Sequence, residues 1–81
     1  MLMKVITIKL STVGEVEKFV DIVNKVPFEV DLSTGRFTVN AKSLMGVYSL
    51  DLNQPLKVIM FCDECCSLIK ELAIFELKQD T

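Results

Sequence analysis

The hydrophobic period of this chain switches repeatedly between two and about 3.6, in stretches too short to stand alone, and that switching limits the folds open to it. Met3 to Leu10 is rich in β-branched residues and alternates. Val5, Thr7 and Lys9 share one face and Ile6, Ile8 and Leu10 the other, as in a strand. Val16, Phe19, Val20 and Val23 then follow helical spacing, with Glu15, Lys18, Asp21 and Lys25 off the stripe. Thr12 and Glu15 have capping-box spacing at the start of this helix, and Pro27 stops it. Phe28 to Leu32 alternates again, Ser33 to Arg36 supplies a turn, and Phe37 to Val39 returns as an antiparallel partner. Ser43 is placed to cap a short helix running to Leu50. Leu56 to Phe61 is more continuously apolar, as an internal strand would be. Cys62 or Asp63 opens a last helix, with Cys65, Leu68, Ile69, Leu72 and Phe75 or Glu76 on its stripe.

The predicted order is strand, helix, strand, strand, helix, strand, helix. Strands and helices of this size imply an α+β fold with an open antiparallel sheet and helices on one face. At 81 residues one domain, 1–81, is expected, built around a single modest core.

Composition removes several classes of function. Hydrophobic residues make up 51% and charged ones 25%, the balance of a globular rather than a disordered chain. A net charge of −2 without any basic cluster argues against nucleic acid as partner. No apolar run is long enough to cross a bilayer, and Met1-Leu2-Met3-Lys4 lacks the regions of a signal peptide. Three cysteines crowded at Cys62, Cys65 and Cys66 do not form a secreted disulfide framework, so a cytoplasmic location is expected. The chain contains no histidine, which rules out histidine acid–base catalysis, histidine metal ligation and phosphohistidine chemistry. The scattered carboxylates form no recognisable catalytic pair. Neither an enzyme, a cofactor nor a resident metal is expected.

The run Val39-Asn40-Ala41-Lys42-Ser43-Leu44-Met45-Gly46-Val47-Tyr48-Ser49-Leu50 resembles the regulatory-serine segment of HPr, the small phosphocarrier of the bacterial sugar phosphotransferase system, in its Gram-positive form. The resemblance extends more weakly from about Lys25 to Met60, and by element order over nearly the whole chain. It implies the HPr-like open-faced β-sandwich, βαββαβα, with a four-stranded antiparallel sheet and three helices on one face. It also implies that Ser43 is a substrate for an ATP-dependent HPr kinase/phosphorylase. The modified protein would then bind a transcriptional repressor or a metabolic enzyme. The chain departs from the family at the active loop, where Gly-x-His-x-Arg-Pro is replaced by Leu10-Ser11-Thr12-Val13-Gly14-Glu15. Thr12 falls near the missing histidine and Gly14 near the missing arginine. Threonine forms no phosphoramidate, so phosphoryl relay should be lost, as in the catabolite-repression HPr-like protein, which also lacks the histidine and keeps the serine. Loss of the arginine removes a group that helps phosphoserine recognition in the family.

Each candidate site has a structural alternative. Ser43 serves as a helix cap whether or not it is phosphorylated. A phosphate there would add about −1.5 to −2 charges beside the positive end of a helix. Leu44, Met45, Val47 and Tyr48 form either core or a docking patch, because so short an apolar helix cannot bury every side; self-association as a homodimer is a further expectation. Thr12 and Glu15 are a cap, with anion binding by the first helix start as the alternative. Cys62-Asp63-Glu64-Cys65 has the placement of a redox pair between strand and helix, and with Cys66 it offers three thiols to a metal. A redox- or metal-responsive protein using these cysteines, or a degenerate interaction module, is therefore the alternative to an HPr-like regulator.

Overall fold

Sheet pairing sets the architecture. The computed structural model describes residues 3–77. It contains β1 (Lys4–Ile8), α1 (Val13–Val23), β2 (Val30–Thr34), β3 (Phe37–Asn40), α2 (Leu44–Tyr48), β4 (Leu56–Met60) and α3 (Cys66–Leu72), followed by a 3₁₀ turn at Ala73–Phe75. The sheet order is β1-β4-β2-β3 and every pairing is antiparallel. β4 thus lies inside the sheet, as its unbroken apolar run requires. In register, Val58 stands between Ile6 and Leu32, and Met60 beside Val30. These positions face the helices, and Ile8, Val30, Leu32, Leu56, Val58 and Met60 are all buried. Arg36 and Gly35 make the β2–β3 turn, and the φ of 57° at Gly35 is a left-handed conformation that glycine adopts without a Cβ clash.

All three helices lie on one face of the sheet. α1 contributes Val16, Phe19, Val20, Ile22 and Val23 to the core, and α3 contributes Leu68 and Leu72. Phe19 meets Phe75 edge to face, with ring centroids 6.4 Å apart. Beyond the 3₁₀ turn the chain runs back along the outer edge of β1. The Lys9 amide donates to the Phe75 carbonyl at 2.9 Å and the Leu77 amide to the Thr7 carbonyl at 3.0 Å, satisfying part of an otherwise open edge.

Several boundaries differ from the sequence reading: β1 ends at Ile8 rather than Leu10, α2 at Tyr48 rather than Leu50, and β4 at Met60 rather than Phe61. β2 begins at Val30 rather than Phe28, because the ladder starts where Met60 of β4 provides a partner; Phe28 packs half-buried against the core from the preceding loop. α1 ends at Val23, well short of Pro27, and the Asn24 side chain donates to the Val20 carbonyl at 2.8 Å. α3 begins at Cys66 rather than at Cys62 or Asp63, because Cys62 and Cys65 are bridged and the residues between them are held in a loop.

Candidate functional site at the α1–α2 face

The turn from β3 into α2 is held by local and long-range bonds together. The Lys42 amide donates to the Asn40 side-chain oxygen at 2.9 Å, turning the chain out of the sheet. The Lys42 ammonium reaches across to the Val26 carbonyl at 2.7 Å, and the Asn24 amide group donates to the Lys42 carbonyl at 3.1 Å. These contacts tie the end of α1 to the start of α2. Ser43 is then presented as N-cap, with extended backbone and its hydroxyl oxygen accepting from the Gly46 amide at 3.1 Å. A Cβ on Gly46 would stand 3.3 Å from both Cβ and Oγ of Ser43 and 3.4 Å from Cβ of Val39, so glycine allows the cap and β3 to sit this close. Ser43 is exposed.

α2 divides its apolar residues between two sides. Val47 is fully buried and belongs to the core, which removes it from the expected docking patch. A five-residue helix lying on a sheet must still turn one side inward, and Val47 occupies that side. Met45 is 80% exposed, while Leu44 and Tyr48 are each 39% exposed. Tyr48 lines a groove of about 260 Å³ together with Lys9, Thr12, Val13, Val16 and Leu52. Leu44 borders a second groove on the flank of α1, beside Glu17, Val20, Asp21 and Asn24. The exposed side of α2 therefore lies between two shallow depressions that α1 also lines.

The start of α1 is closed. Thr12 Oγ1 accepts from the Glu15 amide at 3.1 Å, and Glu15 Oε1 accepts from the Ser11 amide at 2.7 Å and the Thr12 amide at 3.2 Å. This is a complete capping box. The Ser11, Thr12 and Glu15 amides are thus engaged within the chain, and the Glu15 carboxylate sets a negative charge beside the start of α1. Gly14 is exposed beside the cap. The spacing of Thr12 and Glu15 was legible in the sequence. The contacts of Lys42 and Asn24 were not, because they join residues far apart in the chain.

Across the molecule, the C-x-x-C pair is bridged. Cys62 and Cys65 form a disulfide with Cα atoms 6.2 Å apart, inside the usual range, and Cys66 is a free, exposed thiol. Cys65 is buried in the core and Cys62 packs at its margin. Chain-entropy arguments assign a cross-link over so short a loop only about 2 kcal/mol. Among the described residues, no group of three or more His, Cys, Asp or Glu side chains is placed to hold a metal ion. No helix among them is long and apolar enough to cross a membrane.

No family model matches the chain, and no curated protein does. Solved structures do. HPr-C-His from Thermoanaerobacter tengcongensis is 29% identical, with a TM-score of 0.69 over 91% of this chain and 89% of that one. The fold is that of HPr. The phosphocarrier protein HPr from Bacillus anthracis strain Ames superimposes with a TM-score of 0.70 over 94% of this chain and 96% of its own, at 20% identity. The HPr fold thus accounts for nearly the full length of each protein. On this fold, the Thr12–Glu15 capping box lies at the start of α1 and the exposed serine cap at the start of α2.

Proposed function

We propose that this chain is a non-enzymatic HPr-like regulatory protein that relays no phosphate through histidine and meets its partners through the exposed side of α2, with Ser43 as a phosphorylation switch. The observation that carries the first part is at the start of α1. The chain has no histidine, and the Glu15 carboxylate sits on the Ser11 and Thr12 amides. A phosphoryl group brought there would meet the Glu15 negative charge and find the Ser11, Thr12 and Glu15 amides already engaged. The second part is supported by the exposure of Ser43 and by Leu44, Met45 and Tyr48 presented beside it. Phosphate on Ser43 would add a compact double charge at the edge of that apolar patch, altering what can dock without displacing a buried group.

The partners implied are an HPr kinase/phosphorylase and, once Ser43 is modified, a transcriptional repressor or metabolic enzyme of carbon control in a bacterial cytoplasm. Pairing of two copies through Met45 and its neighbours is part of the same proposal. The test is phosphate incorporation from ATP by an HPr kinase into the wild type and Ser43→Ala, with phosphoenolpyruvate and its phosphotransferase enzyme run in parallel. Label on wild type alone, and none from phosphoenolpyruvate, is expected. Equal label in both proteins, or transfer from phosphoenolpyruvate, would overturn the reading.

A further inference from the structure

The Cys62–Cys65 bridge lies away from the α1–α2 face and is not used by the function proposed above. It closes the connection between the internal strand β4 and α3. The Phe61 amide donates to the Glu29 carbonyl at 3.1 Å, so the chain is still tied to the sheet one residue before Cys62. The Cys65 carbonyl accepts from the Ile69 amide at 2.9 Å, which begins α3. Cys65 is the N-cap of that helix, yet no side-chain hydrogen bond caps it. In place of a side-chain cap, the sulfur bond ties the N-cap residue to the segment that follows β4.

The two cysteines differ in exposure. Cys65 is 3% exposed and Cys62 is half-buried. A depression on the Cys65 side of the bridge is lined by Lys4, Phe28, Asp63, Glu64, Cys65 and Cys66. The bridge joins a C-x-x-C pair, a spacing used by thiol–disulfide exchange sites, and so short a loop adds little entropic stabilisation. When the bridge opens, Cys65 can remain in the core as a small apolar thiol.

We propose that Cys62 and Cys65 are a thiol–disulfide exchange pair whose partner is a small or protein dithiol and whose opening releases the first turn of α3. Exchange begins when a partner thiolate attacks Sγ of Cys62, the more exposed of the two residues. The Cys62–Cys65 bond breaks, its electron pair leaves on Cys65 Sγ, which takes up a proton, and a mixed disulfide remains on Cys62. The partner's second thiolate then attacks its own sulfur in that mixed bond, releasing Cys62 as a thiolate that takes up the second proton. The protein gains two electrons and two protons, and the dithiol becomes a cyclic disulfide. Cys66 takes no part.

The experiment equilibrates the folded protein with mixtures of reduced and oxidised dithiothreitol, quenches in acid, alkylates, and reads each cysteine by mass spectrometry. Circular dichroism and amide hydrogen exchange follow the same samples. Cys62 and Cys65 are expected to gain label together and reversibly, with Cys66 labelled at every ratio. Cys66→Ser should leave the transition in place. Reduction should speed exchange at Ile69, whose amide makes the first bond of α3, at least tenfold, with the far-ultraviolet spectrum unchanged. The proposal is overturned if the bridge opens only in denaturant, if it does not re-form in oxidised dithiothreitol without unfolding, or if Cys66→Ser abolishes the transition. Unchanged amide exchange at the start of α3 would equally overturn it.

Discussion

Ser43 can be tested as a cap before any partner is known. Replacing it with alanine removes the oxygen that accepts from the Gly46 amide at 3.1 Å but leaves the backbone bond from the Val47 amide to the Ser43 carbonyl at 3.0 Å. Gly46 is only half-buried, so water can reach the freed amide and the full penalty for a buried orphan does not apply. The cost should be that of an ordinary N-cap, about 1 kcal/mol within a range of about 0.5–2. In a domain of this length that lowers the melting temperature by roughly 4–8 °C. Aspartate supplies an acceptor in the same place together with the negative charge favoured at a helix start. Ser43→Asp should therefore melt with the wild type. The comparison is made by thermal denaturation followed by circular dichroism, with urea titration as a check on the transition slope. An alanine variant that melts within a degree of the wild type would show that the hydroxyl does not cap α2. An aspartate variant that melts as low as alanine would show that this corner does not tolerate charge, and a phosphate there would then disturb the fold rather than the surface.

Val47→Ala should cost about 2 kcal/mol, from two lost methyl groups at about 0.8 kcal/mol each plus a cavity, whereas Met45→Ser should stay within about 0.5 kcal/mol; denaturant titration separates them. Thr12→Ala should lose about 1 kcal/mol by removing one half of the capping box, and amide exchange at Glu15 should rise with it. Phe19→Ala should cost roughly 3–5 kcal/mol, against a total on the order of 4–12 kcal/mol at about 0.05–0.15 kcal/mol per residue; the near-ultraviolet signal is expected to weaken and broaden at 37 °C. A Phe19→Ala protein as stable as wild type would contradict the placement of that ring in the core.

Periodicity and capping chemistry alone revealed the element order, the internal position of β4, the Thr12–Glu15 box and Ser43 as a cap, because each depends on residues close together in the chain. The absence of histidine likewise needs no coordinates. Tertiary contacts decided the rest. Phe28 has the right parity for β2, but a strand exists only where a neighbour offers hydrogen bonds, and Met60 meets Val30 instead. Val47 and Met45 are both apolar residues of one short helix, and nothing local distinguishes them; the sheet beneath α2 buries one and leaves the other exposed. The start of α3 lies at Cys66 because the Cys62–Cys65 bridge holds the intervening residues in a loop, a pairing that the spacing alone left open. Local spacing determines which backbone conformation a segment prefers, whereas burial and pairing depend on what the rest of the chain brings alongside it.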